Sequence, residues 1–183
     1  MSAAAHERVG APAGQVRVRL ARAGHPADVA AVAGVARAAW PVAYRDILPP
    51  SVVESHLDRA YARAAIEARV ASTGIVLLAE ADGRCVGFCH ASRRETRASD
   101  ADLWAIYVDP PAQGRGVGTA LLQAARAALP GARLHVALAA QNEAAARFYA
   151  RRGFVAQGSG YWGELVGHPV RMRSMVLAAA GRR

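Results

Sequence analysis

Apolar residues along the chain follow two periods, and together these predict a mixed α/β protein. Val16-Arg17-Val18-Arg19-Leu20 alternates apolar with polar and reads as a strand. His25-Pro26-Ala27-Asp28 opens a helix that carries Val29, Val32, Val35 and Ala36 on one face and reaches Trp40, where Pro41 ends or kinks it. Tyr44 to Pro50 reads as a loop. Ser51, with Glu54 three residues on, forms a capping box for a helix that runs, with one break, through Val70. Ile75 to Ala79 and Cys85 to Ala91 flank Asp82-Gly83, a two-residue hairpin turn. Residues 92–101 read as a polar connection. Leu103 to Val108 is almost uninterruptedly apolar and belongs centrally in the sheet. Pro110-Pro111 stops it.

A helix follows from about Gly116 to Leu129, ended by Pro130-Gly131. Leu134 to Ala139 is the next strand, Asn142 starts the last helix, and Gly153 closes it in the left-handed conformation. Phe154-Val155 and Val170 to Leu177 are the final strands, joined by a glycine-rich link from Gly158 to Gly167. With 183 residues, 53% of them hydrophobic, the chain suits one well-buried domain over 16–180 behind a flexible tail, 1–15. No apolar run approaches the roughly 20 residues that cross a bilayer, and no secretory signal opens the chain, so it reads as cytoplasmic without a membrane partner.

Charge adds one feature. All 23 basic residues are arginine, against 14 acids, for a net charge of +9. Such a field attracts polyanions. The arginines are scattered, however, and no basic block is interleaved with aromatics, so nucleic-acid binding is a minor alternative. The two cysteines, Cys85 and Cys89, lie four apart on one strand and should share a face as small buried residues. Two ligands make no zinc site, and no metal is expected.

The candidate chemistry lies in Gln113-Gly114-Arg115-Gly116-Val117-Gly118-Thr119, between a strand and a helix. A helix start leaves backbone N–H groups unpaired, and glycines let a phosphate approach them. Arg115 adds charge. A P-loop would need lysine before Thr119, and a dinucleotide turn would need Gly-x-Gly-x-x-Gly, so Gln-x-x-Gly-x-Gly stands apart from both. It follows Asp102-Leu-Trp-Ala-Ile-Tyr-Val-Asp-Pro-Pro and precedes Asn142-Glu-Ala-Ala-Ala-Arg-Phe-Tyr-Ala-Arg-Arg-Gly-Phe154. The pair resembles the two signature motifs of the Gcn5-related N-acetyltransferase (GNAT) family. The likeness covers about residues 16–178 and is dense only in 102–154.

That resemblance implies an α+β fold in α/β/α layers: a mixed, mostly antiparallel sheet of six to seven strands, splayed at the fourth, with about four helices. It implies acetyl-CoA as co-substrate in the splay, with backbone groups near Tyr107 and Val108 pairing with the pantetheine arm. Gln113 to Thr119 would hold the pyrophosphate, and Asn142 the pantetheine or a water. Tyr149 matches the acid that protonates the departing thiolate; Asn142, Ala145 and Tyr149 share one helix face. Asp102, eleven residues before Gln113, matches a glutamate base but is shorter. His90, His135, Glu80 and His168 are other candidate bases. Trp40, Tyr44, Tyr161 and Trp162 would wall the acceptor side. The acceptor would be a small-molecule amine or a peptide N-terminus, and the family's habit of dimerising leaves room for a homodimer. The alternative is a non-catalytic acyl-CoA sensor of the same fold.

Overall fold

The computed structural model describes residues 15–179, so the expected tail lies, but for Gln15, outside the described residues. Seven strands form one sheet: β1 (Arg17–Leu20), β2 (Ile75–Ala81), β3 (Arg84–Arg94), β4 (Arg97–Val108), β5 (Arg133–Ala139), β6 (Val155–Leu165) and β7 (His168–Leu177). Their order is β1-β2-β3-β4-β5-β7-β6, antiparallel except for the β4–β5 pair. The described helices are α1 (Pro26–Ala43), α2 (Pro50–Ala60), α3 (Arg63–Ala71), α4 (Val117–Ala128) and α5 (Glu143–Ala150), and a 3-10 turn spans Pro110–Ala112. The expected layering and the central place of β4 are both present. The fourth expected helix count rises to five because the break near Tyr61 separates α2 from α3 completely.

Each face of the sheet has its own core. One joins Val117, Leu121 and Ala125 of α4 and Tyr149 of α5 to Cys89, Leu103, Leu134 and Met175. The other joins Val32, Ala36 and Trp40 of α1, with Leu57 and Ile66, to Leu78, Phe88 and Val170. The three-and-four spacing of Val29, Val32, Val35, Ala36, Ala39 and Trp40 produces that stripe on α1. Asp28, 1% exposed, anchors the helix start to β1. Arg19 donates to both of its oxygens at 2.8 Å, and the Arg22 backbone N–H donates at 2.8 Å.

Several boundaries differ from the sequence reading, each for a physical reason. α1 runs through Pro41 to Ala43; the N–H that proline lacks would serve the carbonyl of Arg37, and Arg37 is exposed rather than in the core. The capping box is absent: Pro49 takes the cap position and Pro50 the first turn, without a side-chain cap. Residues 92–101 are not a connection but the ends of β3 and β4, which continue past the helices as a hairpin. Their polarity reflects exposure. Gly158 to Gly167 likewise lies mostly within β6, where the register shifts between Gln157 and Tyr161, and the true turn is Val166-Gly167, both with positive φ. Cys85 and Cys89 do not share a face. A bulge sets Glu80 opposite Cys85 and Ala79 opposite Gly87, so Val86 is an extra residue and the alternation inverts. Cys89 enters the α4 core and Cys85 packs on the other.

Candidate active site

β4 and β5 pair only through Asp100–Arg133, Ala101–Leu134 and Asp102–His135. Beyond that register both strands continue unpaired, and the sheet opens into a fork. A cavity of about 740 Å³ fills it. The walls are Trp104 to Val108 of β4, Val136 to Leu138 of β5, the end of α1 at Ala39 to Tyr44, the glycine turn, and the face of α5 from Asn142 to Arg152. The Asp109 N–H donates to the Val86 carbonyl at 2.9 Å. Antiparallel alternation therefore turns the backbone groups of Tyr107 toward β3 and those of Ile106 and Val108 toward the open fork. Val108's carbonyl already accepts from the Gln113 side chain at 3.2 Å.

The glycine turn is built for two separate reasons. Gly114 and Gly116 have φ of +77° and +83°, with open space where a Cβ would stand, and Gly116 is the left-handed cap from which α4 starts. Gly118 is helical, but a Cβ there would meet the Phe148 ring at 2.9 Å. That ring is fixed in turn: the Arg152 guanidinium lies 3.8 Å from its centroid, donates to the Phe148 carbonyl at 2.8 Å, and donates to the Thr119 hydroxyl through Nε at 3.1 Å. The start of α4 and the end of α5 are thus latched together. Arg147, Arg151 and Arg152 line this end of the cavity. Burial and the adjacent Arg151 lower the Arg152 pKa.

Tyr149 is 6% exposed, wedged edge-on between Phe148 and Phe154, and lines the cavity. Burial raises its pKa well above the ordinary phenol value, so it stays protonated. Asn142 also lines the cavity, and its side-chain oxygen caps α5 by accepting the Ala145 N–H at 3.0 Å. Tyr44 and Tyr107 meet hydroxyl to hydroxyl at 3.1 Å on the opposite wall.

The remaining sequence candidates fall elsewhere. Asp102 stands at the last paired register before the fork and does not line the cavity; Arg94 chelates both its oxygens at 2.6–3.0 Å. Trp40 is 4% exposed in the core, stacked behind Tyr44 at 4.3 Å, with its indole N–H on the Tyr61 hydroxyl. It positions the wall rather than forming it. Trp162 is 70% exposed on β6, beneath Arg171, away from the cavity, and Tyr161 neighbours it. Glu80 pairs with Arg19 at 2.7 Å. His135 directs a buried Nε2 toward Asp100 at 3.5 Å. His168 opens β7 outside the cavity. His90 is pushed down to about 4, by burial and then by Arg69. Among the described residues, no carboxylate and no imidazole lines the cavity. Sequence reasoning missed Trp104, which lines it, and the Arg152 latch; the doublet Arg151-Arg152 inside the second motif was the signal for the latter.

Comparison with known proteins agrees with this geometry. The profile of the acetyltransferase (GNAT) family matches residues 40–154. An uncharacterized N-acetyltransferase of Mycobacterium tuberculosis is 32% identical over 136 residues, 72% of this chain and 86% of that protein. A mycothiol acetyltransferase of Acidimicrobium ferrooxidans is 43% identical over 86 residues, which span 43% of this chain. The chain covers only 27% of that protein, and 26% of an L-2,4-diaminobutyric acid acetyltransferase of Nocardia farcinica. Among solved structures, the PaiA N-acetyltransferase of Thermoplasma acidophilum in complex with coenzyme A has the same fold, with a TM-score of 0.72, 20% identity and coverage of 87% of this chain and 98% of that one.

Proposed function

Because the chain belongs to the GNAT acetyltransferase family, we propose that it is an acetyl-CoA-dependent N-acetyltransferase in which an amine attacks the thioester directly. One observation carries the reading. The open edge of β4 runs into the left-handed glycine turn, and Tyr149 lines the same cavity. The unpaired N–H groups of the turn and the start of α4, with Arg115 beside them, suit the pyrophosphate. The three arginines at the end of α5 suit further phosphate charge. Ile106 and Val108 offer backbone groups to an extended amide-bearing arm, as a missing strand would.

In the transfer, the amine nitrogen bonds to the thioester carbon, the carbonyl oxygen gains charge, and the C–S bond then breaks. Backbone donors on the open β4 edge suit the oxyanion. Tyr149 gives its proton to the departing thiolate. A thiolate leaves readily near neutral pH, with an ordinary pKa of about 8.5, so this proton accelerates the step without being indispensable. Since no base lines the cavity, the acceptor loses its proton to water. Asp102 serves as an anchor at the base of the fork. A cytoplasmic setting follows from use of acetyl-CoA.

The test is thiol release from acetyl-CoA with a panel of amines. Tyr149→Phe should lower kcat about 100-fold, the low end of general-acid effects because the thiolate leaves readily, and leave acetyl-CoA affinity unchanged. The rate should rise with pH toward the acceptor's own pKa, and the raised Tyr149 pKa predicts no descending limb below about pH 10. Tight acetyl-CoA binding without turnover of any amine would instead establish the sensor alternative.

A further inference from the structure

Trp104 is the largest exposed aromatic surface on the cavity, and its exposure has a structural cause. β3 and β4 pair His90 with Ala105 and Ala91 with Leu103, so Trp104 is the extra residue of a bulge. Bulges re-aim side chains beside functional sites. An apolar strand residue that should pack in the core instead stands 61% exposed at the mouth of the fork. It is held there. Its indole N–H donates to Ser92 Oγ at 2.9 Å, and the His90 ring lies nearly parallel to it, 26° off, at 6.5 Å between centroids. Burial keeps that imidazole neutral, so nothing behind the indole repels a cation in front of it.

Ala39, Val42, Ala43 and Ala137 also line the cavity, and all are apolar. Val42 is itself 46% exposed. Two charge arguments narrow the acceptor. A polyamine needs a carboxylate for its remote ammonium, yet among the described residues none lines the cavity. Two acids at the base of the fork are engaged, Asp100 by Arg133 at 2.7 and 3.0 Å and Asp102 by Arg94. An amino acid needs a cation for its carboxylate, and the cavity's arginines are Arg147 on α5 with Arg151 and Arg152 just after it, where Arg152 bonds Thr119 at the phosphate end. Burying either unpaired charge is costly.

We propose that Trp104 is the specificity-determining platform for the acceptor, which is a primary amine that bears a flat aromatic ring and carries no carboxylate. This inference rests on the acetyl-transfer reading and specifies its second substrate. Ring stacking and the attraction of an ammonium to indole together make the loss of the platform a change of about tenfold.

The experiment compares phenethylamine, spermidine and L-alanine as acceptors for the wild type, Trp104→Ala, Trp104→Phe and, as a control outside the cavity, Trp162→Ala. Phenethylamine should have the highest kcat/KM. Trp104→Ala should raise its KM about tenfold with little change in kcat, Trp104→Phe should recover most of the loss, and Trp162→Ala should change neither constant. Preference for spermidine or alanine, or a phenethylamine KM within twofold in Trp104→Ala, overturns the proposal. Calorimetric binding of phenethylamine to the CoA-loaded protein separates the two levels. Binding that depends on Trp104 without any turnover supports the platform and sinks acetyl transfer; binding indifferent to Trp104 sinks the platform whatever the turnover.

Discussion

Gly114, Gly116 and Gly118 occupy one turn for unlike reasons, and substitutions should separate them. At Gly114 and Gly116 any side chain fits in space but strains a left-handed backbone. At Gly118 the backbone is ordinary and the obstacle is Phe148, pinned by Arg152. Gly118→Ala should therefore shift the Phe148–Arg152 latch, cost about 1–3 kcal/mol in urea unfolding as overpacking does, and weaken acetyl-CoA binding measured by calorimetry. Asp28 offers a second test. Its carboxylate is buried and bonded by Arg19 and Arg22, with Arg19 the largest influence holding its pKa far below the ordinary carboxylate value. A depressed carboxylate contributes fully above the unfolded-state value and loses that contribution as pH falls through the folded one. Unfolding free energy should therefore drop below about pH 4 in the wild type. Asp28→Asn should cost on the order of 3 kcal/mol at pH 7 and flatten that acid limb.

At the scale of elements, the two bulges decide what the strands present. Period-two reading assigns Cys85 and Cys89 to one face, and an inserted residue at Val86 reverses that outcome; a second inserted residue, at Trp104, breaks the alternation of β4. α5 shows how structure and chemistry share a side chain. Asn142 caps the helix through its oxygen and turns the rest of its amide toward the cavity. Asn142→Ala should cost about 1 kcal/mol of stability through the lost cap, read by chemical denaturation. Asn142→Asp keeps the cap, so its loss of acetyl-CoA affinity reads the exchange of the amide N–H₂ for a negative charge.

For the molecule as a whole, the fork is a gap in an otherwise continuous sheet, and a ligand that fills it should stabilise the fold. Acetyl-CoA at 100 times its Kd should add about 2.7 kcal/mol, seen as a rise in Tm of roughly 5–10 °C for a chain of this size. The gain should shrink as salt screens the arginines at the end of α5. The sequence by itself determined the local parts: the glycine turn, the Asp82-Gly83 hairpin, the apolar run of β4, and the helix face that carries Asn142 and Tyr149. Each follows from backbone permissiveness or from apolar spacing within one element. Strand ends at 92–101 and 158–165 were hidden because exposed strands are as polar as loops. Only the tertiary structure decided which carboxylates are spent on arginines, that Trp40 backs the cavity wall while Trp162 stands apart from it, and that Trp104 faces outward. Pairing register and ion-pair partners join residues far apart in the chain, and one inserted residue inverts a face, so no local period encodes them.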